Sequence, residues 1–390
     1  MNAFTNRFVA VLTGMAFAAS NALAEPGDAD PTLDPPAEKR LRVASWGGAY
    51  GQAQELAIVT QARKRLGVKI ERVERTGDAS TGLSADVVEV NQSTLVDGCA
   101  SGAFAKIQPI DLVPGPDGDT GNSDFVSGGL SPCGVASFAW SSLILFDTTK
   151  FKKRKPGRLA DVFNIKRFPG KRAFQRSPDG LLEMFLMANG TPRDQVYEKL
   201  SDRKQRDDTF KALEALLPHI VFVDSAGEAL EELESGAVVF SIGYSGRAFR
   251  KTIAGNIRAI WDGHVYDHGS WAISSNANDR SLAKDFISLA TSPQLMAAQA
   301  RLWPYGPMRK SAAALVGRHA RLDIELAPFM PTSEIRLNAG LRRDATFWAE
   351  NRERLEDRLA ALREGFPLGV RVPPPPRKPA PEPVTDDSQE

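Results

Sequence analysis

Between Leu41 and Glu74 the chain runs strand, helix, strand in about 35 residues, a unit that admits few architectures. Leu41 to Trp46 (LRVASW) reads as a strand. Tyr50 to Leu66 carries Leu56, Val59 and Leu66 at helical spacing and stops at Gly67, a residue suited to the left-handed turn that ends helices. Val68 to Glu74 is a second strand, and Ala85 to Val90 (ADVVEV) a third. Strand, helix, strand at this spacing is a βαβ unit, so the strands run parallel and both sheet faces need cover. The expected class is α/β.

Further along, Phe138–Leu145 (FAWSSLIL) reads as a strand, and Phe151 to Arg172 is basic and punctuated by Pro and Gly. Leu181–Met187 and Phe210–Leu217 look helical. Ala237–Tyr244 (AVVFSIGY) is a strand that runs into Ser245-Gly246-Arg247, where a helix begins. Trp271–Ser274 is a short strand, and Asp279 to Ala290 an amphipathic helix with Leu282, Phe286 and Leu289 inward. Ser292-Pro293 opens another helix with a cap and a proline in its first turn. Asp344 to Arg363 is a surface helix docked through Phe347, Trp348, Leu355, Leu359 and Leu362. A body of about 330 residues is enough for two lobes with separate cores.

The ends read differently. Residues 1–24 have a weakly basic start, an uncharged apolar run from Phe8 and a small-x-small end at Ala22-Leu23-Ala24, the pattern of a cleaved signal peptide; left uncleaved, it would be an anchor. Residues 25–40 form a lead-in rich in Pro, Asp and Gly, and residues 372–390 a Pro-rich acidic tail; both compositions predict disorder. An exported, periplasmic address suits the two cysteines, Cys99 and Cys133, as one disulfide, with two separate thiols as the alternative. The formal charge of +1 gives no basic footprint for nucleic acid.

Enzymatic motifs are scarce. There is no HExxH, no GxGxxG after a strand and no phosphate-cradling loop. GYSGR at Gly243–Arg247 has Arg247 where a nucleophile elbow requires glycine. His264 and His268 with Asp262 and Asp267 invite a metal or hydrolytic reading, but Gly263 and Gly269 break any helix that would align them; no metal and no catalytic residue are assigned. Binding residues are better represented. In open α/β sheets, ligands lie beyond the carboxyl ends of the strands. Three such ends carry Trp46-Gly47-Gly48, Asn91-Gln92-Ser93-Thr94 and Tyr244-Ser245-Gly246-Arg247: glycines that admit close approach and aromatics that supply a flat wall.

In order, SWGGAY, ADVVEVNQSTLVDGCASGAFAKIQPID, FPGKRAFQRSP, YSGRAFR, SWAISSNANDRSLAKDFISLATSP and WPYGPMRKSA resemble periplasmic solute-binding proteins of ABC transporters, in particular the spermidine/putrescine-binding type. The resemblance spans about Leu41 to Gly365. It implies two α/β lobes with hinge crossovers, residues 41–137 with 266–308 and residues 138–265 with 309–371. The lobes would close on a small molecule and deliver it to an inner-membrane permease, as a monomer without cofactor. In the polyamine type, aromatic rings box the methylene chain and carboxylates hold the ammonium ends, which cation–π attraction and charge-assisted hydrogen bonding explain. Position by position, the resemblance implies ligand contacts at Trp46, Tyr50, Gln92, Ser93, Asp179, Tyr244, Asp267 and Tyr305, with Gly47 and Gly48 offering room and backbone.

There are departures. Gly47-Gly48 replaces bulkier polar residues, and the second loop lacks an aromatic. Arg247, at a helix start, offers a hold for a carboxylate, or else is a structural arginine paired to an acid. The expected ligand is therefore cationic or zwitterionic, polyamine-like first and amino-acid-like second. A periplasmic hydrolase using His264, His268 and Asp267, and a ligand-sensing adaptor, are the alternatives.

Overall fold

The computed structural model describes residues 39–75, 84–108, 110–116, 118 and 123–365. The expected signal peptide, the lead-in up to Glu38 and the tail lie outside the described residues. Among the described residues, no helix is long and apolar enough to cross a membrane.

The strands, in chain order, are β1 (Arg40–Trp46), β2 (Lys69–Arg75), β3 (Val87–Asn91), β4 (Leu130–Ser131), β5 (Gly134–Asp147), β6 (Arg172–Gln175), β7 (Ile220–Val223), β8 (Phe240–Tyr244), β9 (Ile257–Ile273), β10 (Gly306–Pro307) and β11 (Leu341–Arg342). They join in one path, β2-β1-β3-β9-β5-β8-β6-β7, with β4 and β10 beside β5 and β11 beside β9. β1 pairs parallel with β2 and β3, as the βαβ reading requires, and β6 pairs parallel with β7 and β8. Between these parallel ends, β3–β9, β9–β5 and β5–β8 are antiparallel.

β5 and β9 set the architecture. They are 14 and 17 residues long, and at about 3.3 Å per residue they reach about 45 and 55 Å, too far to belong to a single lobe. Their pairing slips between Ala136 and Ala139 and again between Ser142 and Ile144, and such slips bend a strand. The hydrophobic cores change over at the same place. Val135, Ala136, Phe138 and Ala139 of β5 join Trp271 and Ile273 of β9 in one core, with Leu41, Val43, Ile58, Ile70, Phe286 and Met296. Leu143, Ile144, Leu145 and Phe146 join Ile257, Ile260, Trp261 and Val265 in a second, with Phe174, Phe185, Phe210, Phe240 and Trp348. Two lobes thus share two strands, and Trp140, Ser141, Tyr266, Asp267 and His268 fall at the crossover.

Three sequence expectations need correction. The short strand Trp271–Ser274 and the loop around His264 and His268 are one strand, β9; Gly269 pairs with Asn91 of β3, whereas Gly263, at φ 64°, sits where the pairing with β5 slips. The segment after Arg309, counted with the second lobe, places Ala312, Val316, Leu326 and Met330 in the first core, and the chain crosses only before Leu341. Finally, Leu56 points outward at 54% exposure. The helix over residues 48–66 contains a π turn, Glu55–Val59, and one extra residue in a turn rotates everything before it relative to everything after. Val59 is buried as its spacing predicts, and Tyr50, Ala53, Ala57, Ile58 and Ala62 complete the buried face. Gly67 closes the helix at φ 64°, as its position predicts.

Cys99 and Cys133 are bonded, with Cα atoms 5.8 Å apart. The bridge ties the end of helix Gln92–Ala100 to the start of β5 beside a small apolar cluster of Val88, Val90, Leu95 and Phe104.

Candidate ligand cleft

Two adjoining chambers open at the crossover. The first, of about 740 Å³, is lined by Trp46, Gly47, Gly48, Ala49, Tyr50, Glu89, Asn91, Phe138, Trp140, Tyr244, Arg247, Trp303 and Tyr305. The second, of about 430 Å³, shares Asn91, Trp140 and Tyr244 with it and continues past Ser93, Thr94, Gln175, Ser177, Asp179, Asp267, Arg343 and Arg352.

Local folding explains how the first chamber is walled. Trp46 is the last residue of β1; Arg75, at the end of neighbouring β2, stands over its ring at 5.0 Å, so the half-buried indole is held from behind by a cation–π contact. The glycine pair has a structural task as well as a place in the wall. A Cβ on Gly47 would sit 1.4 Å from the Glu74 carboxylate, which accepts the Gly48 N–H at 2.9 Å, and Gly48 has φ 64°. Gly48 is in the left-handed region that favours glycine, while a side chain at Gly47 would displace the exposed Glu74 carboxylate. Tyr50 is buried, and its ring lies 5.6 Å from Tyr305 and 6.3 Å from Phe138. Tyr305 in turn meets Trp140 at 6.4 Å and Trp303 at 6.1 Å. Burial pushes the Tyr305 phenol up to about 12 and the Tyr50 phenol well above its ordinary value, so both remain neutral donors.

Arg247 sits at the third position of helix Ser245–Ala254, at the carboxyl end of β8. Its side chain faces the first chamber and makes no hydrogen bond or ion pair with any described residue. Among the described residues, no acid is paired with it.

The second chamber is different, because its charges are already matched. Arg343 donates to Asp179 at 2.8 Å and to Ser93 Oγ at 3.1 Å, and it faces Asp267 at 3.6 Å. Arg352 reaches Asp179 at 3.1 Å. Burial, outweighing the opposing Arg343 charge, pushes the Asp267 carboxyl up to about 6. Tyr244 donates to Gln175 at 3.2 Å in the shared wall.

Trp46, Gly47, Gly48, Tyr50, Tyr244, Arg247 and Tyr305 thus come together in the first chamber, and Ser93, Asp179 and Asp267 in the second with Tyr244 again. Gln92 joins neither: its amide donates to Ser270 at 2.8 Å and lies 3.1 Å from His268 Nδ1. His264 and His268 are 1% and 2% exposed and face neither chamber. The sequence reading missed Glu89, Phe138, Trp140, Trp303, Arg343 and Arg352. For Glu89 there was a signal, an acid inside the apolar run ADVVEV, which a buried strand tolerates only with partners.

The matching family model, that of bacterial extracellular solute-binding proteins, covers residues 57–322, well over half of the chain. The chain belongs to that family. This solute-binding protein is 31% identical to the gamma-aminobutyric acid-binding protein of Pseudomonas aeruginosa over 330 residues, 82% of this chain and 90% of that one. Solved structures share its fold: the PBP MotA from A. tumefaciens B6 in complex with glucopine, at TM-score 0.68 and 24% identity over 83% of this chain and all of the other, and the Atu4243-GABA receptor, at TM-score 0.67 and 21% identity over 83% and 98%. The two-lobe architecture is that of periplasmic binding proteins. The narrower spermidine/putrescine type does not follow from the family.

Proposed function

We propose that the protein captures a small zwitterion, an amino-acid-like compound with one carboxylate, between its lobes in the periplasm and delivers it to an inner-membrane ABC permease. The single observation that carries this reading is Arg247, a cation with no partner among the described residues, opening into an aromatic chamber. Arg247 is itself solvent-exposed at the chamber's edge, and a carboxylate placed there gains a charge-assisted, two-pronged hydrogen bond. The flat walls of Trp46, Trp140, Tyr244, Trp303 and Tyr305 suit a short aliphatic chain carrying a cation at its far end. A relative named for gamma-aminobutyric acid, a zwitterion of this kind, supports the same reading.

The polyamine expectation fares less well. A dication needs free carboxylates, and Asp179 and Asp267 already face Arg343 and Arg352. It would also place positive charge beside Arg247. Binding is read as non-catalytic, with each lobe contributing: Trp46, Tyr50 and Tyr305 from the first, Tyr244 from the second. A thermal-shift screen tests this with three probes of matched size, 4-aminobutyrate, putrescine and glutarate. The zwitterion should give the largest upward shift. A larger shift with putrescine would return the site to the polyamine reading.

A further inference from the structure

Glu89, in β3, is a charged residue that the reading so far leaves without a task. It is 1% exposed, yet it forms part of the wall of the first chamber. Its carboxylate accepts from three neutral donors: Tyr50 Oη at 2.6 Å, Ser137 Oγ at 2.6 Å and Gln54 Nε2 at 2.9 Å. An ionised carboxylate has about four acceptor positions, so one is left over. Oε1 already accepts from Tyr50 and Ser137, so the remaining position is on Oε2, which accepts only from Gln54. Burial pushes the carboxyl up, and the Arg75 charge opposes this less than any of the three hydrogen bonds does. Arg75 donates to the Glu89 backbone carbonyl at 2.6 Å; a buried negative charge remains costly, and a cation brought into the chamber recovers part of that cost.

We propose that Glu89, oriented by Tyr50, is the group that recognises the ligand's ammonium and so sets the specificity for amino acids over simple carboxylates. The inference rests on the zwitterion reading, with Arg247 holding the other end. It moves the ammonium from the second chamber, where Asp179 and Asp267 are occupied by arginines, to the first chamber, where one anion and one cation share an aromatic wall. Tyr50 acts through Glu89: its ring packs in the wall and its hydroxyl fixes which way the carboxylate points.

The test compares 4-aminobutyrate with pentanoate, which carries a methyl group in place of the ammonium, by calorimetry. A charge-assisted contact of this kind corresponds to roughly 10- to 100-fold in affinity, so the wild type should prefer 4-aminobutyrate by about that factor. In Glu89→Gln the preference should fall to about threefold or less, through loss of 4-aminobutyrate affinity with pentanoate binding little changed; these values follow from losing the charge while keeping the shape. Should Glu89→Gln not fold, Tyr50→Phe serves the same purpose, with a several-fold smaller preference and a lower melting temperature in a chain that still folds expected. If Glu89→Gln or Tyr50→Phe folds and keeps the wild-type preference, the inference is overturned. When Arg247→Ala abolishes binding of both probes and the preference persists in Glu89→Gln, this inference alone fails. When the wild type binds neither probe, the zwitterion reading falls and takes this inference with it.

Discussion

At Gly246, the absence of one methyl group shapes the cleft. A Cβ there would lie 2.4 Å from the Tyr305 ring and 2.8 Å from Trp303 Nε1, so both aromatic walls depend on glycine at the start of the Ser245–Ala254 helix. Overpacking of this kind costs about 1–3 kcal/mol. Gly246→Ala should therefore weaken ligand binding about tenfold in calorimetry while both lobes stay folded, and unchanged affinity would mean that neither ring touches ligand. His264 gives a prediction in pH. Its Nε2 lies 2.8 Å from the Arg336 carbonyl, which can only accept, so Nε2 carries the proton and Nδ1 accepts from Ser141 Oγ at 2.8 Å. Burial pushes both His264 and His268 down to about 4. Between their ordinary value near 6.5 and that value, the unfolded chain binds more protons than the folded one. Stability is thus complete above about pH 6.5 and declines as pH falls towards 4, by on the order of 1–3 kcal/mol per histidine. Melting temperatures of wild type and His268→Gln, compared at pH 7 and pH 5, should converge as pH falls; a constant gap would contradict the buried neutral state. Residues at strand ends, Trp46, Tyr244 and Tyr305 among them, were legible because position and chemistry point the same way. Glu89 was not, since its partners Tyr50, Gln54 and Ser137 come from two other elements that only the fold assembles.

At the scale of elements, legibility follows local pattern. The strands β1, β2, β3 and β8 were read from apolar runs, and the helices from spacing and from Gly67. The strand β9 was hidden because half its residues are polar or glycine, and its extended form comes from pairing with β5 along its length and with β3 from Gly269 onward. The π turn at Glu55–Val59 was equally invisible, and it is why Leu56 points outward. Leu56→Lys should change stability by no more than about 0.5 kcal/mol, as surface substitutions do. The Cys99–Cys133 bridge spans 34 residues, a loop whose closure is worth about 3–4 kcal/mol in the chain-entropy model. Replacing both cysteines by alanine should lower the unfolding free energy by about that amount in urea titration; no change would mean the helix Gln92–Ala100 and β5 hold together without it.

Over the whole molecule, two cores are joined through β5, β9 and the crossing between Met330 and Leu341, connections of the kind about which hinge closure occurs. A ligand favours the closed form only through contacts absent from the open one. Trp46, Tyr50 and Tyr305 on one side and Tyr244 on the other are placed to make such contacts. Ligand at 100 times its dissociation constant should add about 2.7 kcal/mol of stability, and small-angle scattering should show the radius of gyration falling as ligand is added. The two-lobe class followed from the order of motifs, but where each lobe ends did not, because Ala312 to Met330 return to the first core by long-range packing alone. The chemistry of the captured solute turns on Arg247, and calorimetry of 4-aminobutyrate with the wild type and Arg247→Ala tests it most directly. A carboxylate anchored there predicts tight binding to the wild type and a loss of about 100-fold in the variant; equal affinity in the two proteins would contradict it.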